Sequence, residues 1–496
     1  MKREYVAALD QGTTSSRAII FDRYGRIVAS GQQEFPQIYP KPGWVEHDGR
    51  DILRSQTESM KTALERAGIS AGQVAAVGIA NQRETVLLWD RFTGKPVYNA
   101  IVWQCRRTSA YCESLRKTHG EMIFEKTGLP VDPYFSATKL KWLLENVPYA
   151  KDRAKKGDLL FGTVDTYLIW KLTGGKVHAT DYTNASRTML FNIHTLEWDR
   201  ELCGLLDIPT CVLPEVRPSG SAFGVTDKKF FGAEIPVCAA VGDQQSALFG
   251  HLKDEPGTAK NTYGTGCFLL MNTGSRAVRS RNGLVTTLAA SFEKPDYALE
   301  GSVFVGGAVV QWLRDGVGFF GTAAETEALA QSVPDTGGVS FVPAFVGLGA
   351  PYWDPDCRGM ISGITRGTTR AHIVRAALES IALQVADVVH AMEQDLRMNI
   401  SVLGADGGAS ANNFLMQFQA DILGADVVRP ACGETTAMGA AYLAGLYAGV
   451  YRDKKALRDA AGPDRVYHPE KGAAWRTETL ATWVNAVKRA VYRPAT

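Results

Sequence analysis

The chain has 496 residues, of which 45% are hydrophobic and 21% charged, and its formal net charge is +2. This length predicts two or three domains, and the composition excludes a disordered or fibrous protein. With so small a net charge and no basic stripe, nucleic acid is not an expected partner. The apolar runs fall short of the roughly 18 residues that predict a membrane span. The apolar residues 5–9 are too few for a signal peptide.

The cysteines and histidines indicate no structural metal or disulfide framework. None of the eight cysteines forms a CxxC pair, so we expect reduced, mostly buried thiols in a cytoplasmic protein. The eight histidines include no HExxH motif, so a zinc site built by the protein is not expected.

The first half of the chain opens with strands rather than with a strand and a helix. Apolar and alternating runs predict strands at residues 5–9, 17–22, 27–35, 74–80, 85–89 and 237–241. A polar turn is predicted over 10–16, and this meander opening argues against a Rossmann fold. A helix is predicted over 51–67, because its apolar residues share one face and Gly68 ends it. Strands mixed with long helices predict an α/β fold.

The second half begins with a similar pattern. A Gly-Thr-rich turn at 263–266 precedes an apolar run at 267–271, which loosely repeats residues 12–20. A strand at 401–405 and helices at 371–392, 412–423 and 435–447 follow. We therefore predict two domains, residues 1–252 and 253–496. Because no low-complexity linker separates them, we expect both to pack on one shared cleft.

Two turns are candidate phosphate sites. In DQGTTSSR, residues 10–17, an acidic residue at a strand end precedes glycine and hydroxyl groups. Backbone N–H groups and hydroxyls could donate to phosphate oxygens while the carboxylate holds Mg²⁺, although plain polar hairpins share this composition. No Walker A motif is present there. The turn NTYGTG, residues 261–266, heads the second half similarly, so the pair predicts two phosphate-holding hairpins facing each other across a cleft.

Two more segments place a carboxylate at a strand end. GDQQSA, residues 242–247, makes Asp243 either a helix N-cap or a general base, and the segment alone favours the cap. DGGASANN, residues 406–413, either lets a flat ligand approach the backbone or is a plain strand-to-helix loop with an Asx cap. That segment alone favours the plain loop.

A fifth segment, NQRET at residues 81–85, lies between two predicted strands. Arg83 and Glu84 could form a surface ion pair, or could grip a hydroxylated ligand by donating and accepting hydrogen bonds. The aromatic side chains of Trp103, Tyr134 and Phe268 would by default belong to the core.

Many stretches resemble the FGGY carbohydrate kinases of the actin-like ATPase superfamily, and within them the kinases for glycerol. They are DQGTTSSR, KPGWVEHD, NQRET, NAIVWQCRR, TVDTYLIWKLT, TDYTNASRTMLFN, GDQQSALFG, KNTYGTGCF, PAFVGLGAPYWDP, DGGASANNFLMQ and TTAMGAAYLAG. Residues 134–146 and 359–379 match the two family-wide patterns, and the resemblance covers residues 5 to about 450.

The resemblance implies a fold and an activity. The expected fold is α/β, with two actin-like, ribonuclease-H-like ATPase domains whose mixed sheets are flanked by helices and whose cleft holds the active site. The expected activity is phosphorylation of glycerol by ATP to sn-glycerol 3-phosphate, with Mg²⁺, in a cytoplasmic homodimer or homotetramer.

The resemblance also implies residue roles. Asp243 would be the general base for the terminal hydroxyl of glycerol, and Arg83 and Glu84 would grip the other hydroxyls. The other glycerol contacts would be Tyr134, Gln244, Trp103 and Phe268. The nucleotide contacts would be Thr13, Thr14, Ser15 and Arg17 in the first phosphate loop, Thr265 and Gly266 in the second, and Gly307, Gln311, Gly408 and Asn412. Asp10 and Asp243 would position Mg²⁺ through waters.

Two alternatives remain at this point. One is a family member that phosphorylates a pentulose or another polyol, against which NQRET and WQCRR argue. The other is an ATP-driven switch protein on the same frame, which would need a peptide- or DNA-binding module for which the sequence shows no room. Residues 226–236 lack the GGKGGTR-like loop that some bacterial family members use for inhibition by fructose 1,6-bisphosphate, so we do not expect that regulation.

Overall fold

The computed structural model describes residues 3–252 and 255–491. Within these residues, two mixed β-sheets organise the fold. The predicted domain boundary adjoins residues 253 and 254, which lie outside the described residues, so the division at 252 stays a prediction. No described helix is long and apolar enough to cross a membrane.

Five strands form the first sheet, and we number the strands of the two main sheets in chain order. They are β1 (Tyr5–Gln11), β2 (Ser15–Phe21), β3 (Ile27–Glu34), β4 (Val74–Asn81) and β5 (Val237–Gly242). Their order is β5-β4-β1-β2-β3; β1, β2 and β3 pair antiparallel, whereas β4 runs parallel to β1, and β5 to β4. The carboxyl ends of β1, β4 and β5 therefore meet at one edge, where α/β sheets bind ligands.

Seven strands form the second sheet. They are β6 (Thr258–Tyr263), β7 (Cys267–Gly274), β8 (Val285–Leu288), β9 (Tyr297–Val303), β10 (Val402–Asp406), β11 (Asp426–Pro430) and β12 (Pro463–Tyr467). Their order is β8-β9-β7-β6-β10-β11-β12. An antiparallel meander of β6, β7 and β9 lies beside the parallel strands β10 and β11, as β1, β2 and β3 lie beside β4 and β5. This repeated topology confirms the predicted α/β fold with two ribonuclease-H-like sheets.

The described residues include sixteen α-helices. They are α1 (Gly49–Ala67), α2 (Ser109–Thr127), α3 (Ser136–Asn146), α4 (Ala150–Lys155), α5 (Val164–Leu172), α6 (Tyr182–Ala185), α7 (Arg200–Leu205), α8 (Lys228–Phe231), α9 (Asp243–Gly250), α10 (Ala308–Asp315), α11 (Glu325–Gln331), α12 (Arg370–Leu396), α13 (Asn413–Leu423), α14 (Thr435–Tyr447), α15 (Lys454–Ala461) and α16 (Ala473–Val491). Short strands pair as Glu46–His47 with Ala100–Ile101, Leu87–Asp90 with Leu159–Gly162, Ala179–Asp181 with Glu215–Arg217, Phe191–Asn192 with Glu197–Trp198, and Ser340–Val342 with Met360–Ser362.

Most predicted elements are present, with one instructive difference at the first turn. The helix predicted over 51–67 is α1, and Gly68 ends it in the left-handed conformation at φ 66°. The turn predicted over 10–16 is shorter, because the ladder already pairs Asp10 with Arg17 and Gln11 with Ser16. Only residues 12–14 turn, so the hairpin tip is tight.

Helix α14 belongs to the second half of the chain but packs on the first sheet. A Cβ on Gly78 of β4 would lie 2.1 Å from the Ala440 carbonyl oxygen. The same helix crosses α9 so closely that a Cβ on Gly439 would lie 1.9 Å from the Ser246 carbonyl oxygen. Such backbone-to-backbone contact needs glycine, which explains why the helix predicted over 435–447 consists of small residues. The contact holds the two halves against each other beside the cleft.

Candidate active site in the cleft between the sheets

Polar side chains from three parallel strand ends converge at the edge of the first sheet. Asp10 lies near the end of β1, Arg83 follows β4, and Asp243 follows β5. Arg83 Nε is 3.3 Å from Asp243 Oδ1. The structure therefore brings together the predicted base and the predicted substrate grip, which stand 160 residues apart in the sequence.

Arg83 and Glu84 are part of a buried ring of alternating charges. Arg83 donates to both carboxylate oxygens of Glu300, from Nη1 at 2.7 Å and from Nη2 at 2.8 Å. Arg187 Nε donates to Glu84 Oε1 at 2.6 Å, and Arg187 Nη2 donates to Glu300 Oε1 at 3.2 Å. Arg83 Nε closes the ring at 3.8 Å from Glu84 Oε1. All four side chains are at most 4% exposed, so the surface ion pair considered for Arg83 and Glu84 is wrong.

Glu84 is held in an unusual backbone conformation. Its φ is 60°, in the left-handed region that a non-glycine residue adopts at a cost of about 1–2 kcal/mol. Its carbonyl oxygen accepts a hydrogen bond from Ser136 Oγ at 3.0 Å, and its carboxylate accepts from Arg187. Such strain persists only where surrounding contacts impose it, and it is concentrated at functional sites.

Asp243 is the first residue of α9, and Gly242 is the N-cap, so the cap interpretation of this carboxylate is wrong. Its Oδ1 accepts from its neighbour's backbone N–H at 2.7 Å and faces Arg83 Nε. Oδ2 accepts no hydrogen bond from the described residues. With its side chain 32% exposed, Asp243 offers one free carboxylate oxygen to the cleft.

The two hairpins have matching tips. In the first, the Gly12 N–H donates to the Ser15 carbonyl oxygen; in the second, the Gly264 N–H donates to the Gly266 carbonyl oxygen. Among the described residues, no acceptor pairs with the backbone N–H groups of Thr13 and Thr14, nor with those of Thr265 and Gly266. Adjacent unpaired N–H groups at a tight turn form a nest for an anion, which supports both predicted phosphate loops.

The second hairpin is fastened by the segment that starts α10. The N–H groups of Gly306 and Ala308 donate to the Thr265 carbonyl oxygen at 2.8 and 3.1 Å, and that of Gly307 donates to Gly264 at 2.8 Å. The Gly307 N–H is therefore already hydrogen-bonded. Because Gly307 has no side chain, a nucleotide could still approach its backbone closely, as the sequence predicts.

The aromatic residues predicted to contact glycerol are half-buried rather than core residues. Trp103 and Tyr134 pack edge to face, with ring centroids 5.6 Å apart. Trp103 Nε1 donates to Thr13 Oγ1 at 3.0 Å, which ties this aromatic wall to the first hairpin. Phe268 follows the second hairpin in β7 and is also only partly buried.

Gln244 is hydrogen-bonded to a buried lysine, Lys260, to which the sequence analysis gave no role. Lys260 Nζ, in β6, donates to Gln244 Oε1 at 2.5 Å and to Thr262 Oγ1 at 2.9 Å. Burial lowers the pKa of Lys260 to about 8, although Asp406 and Asp243 act in the other direction. The lysine thus fixes the orientation of the Gln244 amide from the second half of the chain.

Arg17 and Asn412 already have protein partners. Arg17 pairs with Glu434, at the start of α14, and donates to Gln32 Oε1 at 2.9 Å. Asn412 caps α13, because its Oδ1 accepts from the Leu415 N–H at 2.9 Å. The Asx cap considered for this loop is therefore present, and the roles of both residues toward a nucleotide stay predictions. Ser15 begins β2, where its Oγ accepts from Gln32 Nε2 at 3.1 Å, Gln311 lies in α10, and Gly408 begins the turn after β10; their nucleotide contacts stay predictions.

Glu300, Arg187, Lys260 and Glu434 are the charged residues that sequence reasoning missed. A signal existed for Glu300, which stands alone as a carboxylate in the apolar strand YALEGSV. A buried charge is rarely tolerated without a partner, so such a residue predicts an ion pair.

The two sheets share one topology, and each carries a tight hairpin with unpaired backbone N–H groups. Residues 5–250 match the N-terminal domain of the FGGY family of carbohydrate kinases, and residues 259–448 match its C-terminal domain. The chain therefore belongs to the FGGY family of carbohydrate kinases. Membership of this kinase family implies that the protein uses ATP.

Proteins that are similar to this chain over nearly their whole length are named glycerol kinase. The chain is 59% identical over 490 residues to glycerol kinase 2 of Thermotoga maritima, covering 98% of this chain and 99% of that protein. It is 58% identical over 494 residues to glycerol kinase of Pseudothermotoga lettingae, covering 99% of each. A crystal structure of Plasmodium falciparum glycerol kinase with ADP matches with a TM-score of 0.95, 37% identity and 99% coverage of both chains.

Proposed function

We propose that this protein transfers the γ-phosphoryl group of ATP to a terminal hydroxyl of glycerol, forming sn-glycerol 3-phosphate. One observation carries the proposal beyond the family: Arg83 and Glu84 form a buried donor–acceptor pair, and Arg83 also faces the partly exposed Asp243. A small polyol needs both a donor and an acceptor for its hydroxyls. The glycerol kinases named among the similar proteins supply the identity of the polyol.

Asp243 acts as the general base. Its Oδ2 accepts no hydrogen bond within residues 3–252 and 255–491, while Oδ1 is held by Arg83 and a backbone N–H. As the terminal hydroxyl oxygen of glycerol bonds to the γ-phosphorus, its proton passes to this carboxylate, and the bond to the bridging oxygen of ADP breaks. Because the transition state of phosphoryl transfer is loose, the proton can leave late, and a carboxylate can serve as its acceptor.

The two hairpins hold the phosphates. The unpaired N–H groups of Thr13 and Thr14 on one side, and of Thr265 and Gly266 on the other, can donate to phosphate oxygens across the cleft. Thr14 and Thr265 are exposed there, whereas the Thr13 hydroxyl already accepts from Trp103. Closing the cleft brings the hairpins together and excludes water, which would otherwise accept the phosphoryl group.

Asp10 and Asp243 fit a magnesium ion. Burial and the charge of Asp243 raise the pKa of Asp10 to about 7, so two carboxylates repel each other in a site rich in oxygen donors. Hard oxygen ligands are those that Mg²⁺ prefers, and it keeps several waters when a protein supplies only one or two carboxylates. Among the described residues, no cluster of three or more metal-binding side chains occurs. When bound, Mg²⁺ would neutralise charge on the phosphate oxygens.

We also propose a cytoplasmic setting and a homodimeric or homotetrameric assembly, which are the expectations from sequence. All eight cysteines are free thiols in the structure, which supports a reducing compartment. Sedimentation velocity of the purified chain would measure the assembly directly.

A substrate panel tests the choice of polyol. Initial rates of ADP release are measured with glycerol, with other short polyols and with pentuloses. We expect kcat/KM for glycerol to exceed that for any pentulose by about 100-fold or more, because buried donors and acceptors arranged for one polyol are left mispaired by another. A pentulose preference would instead support the alternative of a sibling kinase.

A further inference from the structure

Glu300 reaches the substrate grip from the opposite half of the molecule. It lies at the middle of β9, the second strand from one edge of the second sheet, whereas Arg83, Glu84 and Arg187 belong to the first half. Its carboxylate accepts two hydrogen bonds from Arg83, and both Nη atoms of Arg187 lie 3.2 Å from it. Two arginines from one half thus converge on a single carboxylate from the other.

The carboxylate of Glu300 is ionised. Burial opposes ionisation, but Arg187, Arg83 and Lys260 outweigh it and hold the pKa of Glu300 at about 2. The carboxylate is therefore charged at every pH at which the protein would be assayed, and its bidentate contact fixes the plane of the Arg83 guanidinium.

The contact with Glu300 also determines which N–H groups of Arg83 remain available to a ligand. Nη1 donates to Glu300 and, at 3.1 Å, to Gln245 Oε1, so both of its N–H groups are engaged. Nη2 donates once, to Glu300, and Nε faces Asp243 and Glu84. One N–H of Nη2 has no acceptor among the described residues. Without Glu300, the guanidinium could rotate and present a different edge.

We propose that Glu300 is a positioning residue that sets the orientation of Arg83 toward the polyol and makes this orientation depend on the placement of the second half. The proposal rests on the function proposed above and extends it to a residue with no direct contact to the substrate. It predicts that polyol affinity is coupled to the nucleotide-side half through one carboxylate.

The test is the variant Glu300→Gln, which keeps the shape and removes the charge. We expect the KM for glycerol to rise about 10- to 100-fold, as for loss of a charge-assisted hydrogen bond, while the KM for ATP changes less than 3-fold. Glu300→Asp, which keeps the charge on a shorter side chain, should recover part of the loss.

The matched control is Glu379→Gln. Glu379 is also a mostly buried carboxylate of the second half, paired with Arg375 at 2.8 Å, but it does not touch the site. Its variant should lose thermal stability without a selective change in the KM for glycerol. This separates positioning from the general effect of breaking a buried ion pair.

The outcomes distinguish this proposal from the proposed function. If the unmodified protein phosphorylates glycerol and Glu300→Gln changes kcat or stability alone, the positioning role is wrong. If the unmodified protein prefers another polyol, the proposed function fails and the same KM comparison is made with that polyol. If Glu300→Gln does not fold, Glu300→Asp is measured, and an unchanged KM in that variant overturns the proposal.

Discussion

Arg83 Nε lies 3.3 Å from Asp243 Oδ1, so one guanidinium links the proposed base to the proposed substrate grip. The Arg83 fork is occupied by Glu300 on its other side. Base, grip and partner carboxylate therefore form one connected unit, and a change at Arg83 should affect how substrate is placed more than how nucleotide is held.

The first prediction concerns Arg83→Lys, which keeps the charge but cannot form the bidentate contact. We expect the KM for glycerol to rise at least 10-fold, because a charge-assisted hydrogen bond contributes about 1.5–3 kcal/mol. ADP binding, measured by calorimetry, should change little. Arg375→Lys, in the separate ion pair with Glu379, is the control, and an equal rise in both variants would contradict the assignment.

The second prediction concerns the base. Asp243→Asn should lower kcat by about 10²–10⁴-fold, because the amide cannot take the proton from glycerol. Since Gly242 and not Asp243 caps α9, the helix should remain intact. Circular dichroism and ADP calorimetry would check this, and a variant with near-normal kcat would show that Asp243 is not the base.

The sequence was informative where structure is local. Both hairpins, helix α1 with its glycine stop, and the bounds of α14 follow from spacing and composition over a few residues. The observed turn is shorter than residues 10–16, because polar residues at a strand end can pair in the ladder as well as form the turn.

Contacts between residues far apart in the chain could not be predicted from the sequence. Glu300 meets Arg83 across 217 positions, and Arg17 meets Glu434 across 417. No local pattern encodes such pairs, since partner choice depends on how the two sheets face each other. The packing of α14 on the first sheet is likewise invisible in its small-residue composition, which predicts burial but not the partner.

The third prediction concerns pH and stability. Lys139 is buried, and its Nζ donates to the carbonyl oxygens of Tyr134 and Phe135. Burial lowers the pKa of Lys139 from its ordinary 10.5 to about 7. Between these values the unfolded chain binds the extra proton, so the lysine's contribution to the free energy of unfolding rises with pH.

Lys139→Met should remove this contribution. From pH 7 to pH 9, the free energy of unfolding of the unmodified protein should rise by about 2 kcal/mol relative to the variant, as measured by urea titration. Lys141→Met, on the same helix, removes an amine that instead pairs with Glu145, and it should keep the slope. Parallel curves for the unmodified protein and Lys139→Met would refute the prediction.

The fourth prediction concerns regulation. Residues 226–236 contain the short helix α8, where Lys229 pairs with Asp227 and the rings of Phe230 and Phe231 pack against the hydrophobic core beside the first sheet. The segment has no arginine fork for a phosphate. We expect millimolar fructose 1,6-bisphosphate to leave the initial rate unchanged at fixed ATP and glycerol. Clear inhibition would place an effector site on another surface.

The most direct test of the whole account is the rate of ADP release from ATP with and without glycerol. An ATP-driven switch on this frame would hydrolyse ATP without a polyol, whereas a kinase with a closing cleft excludes water. We predict ADP release that requires glycerol and matches the formation of sn-glycerol 3-phosphate mole for mole. ADP release that proceeds at the same rate without glycerol would contradict the account.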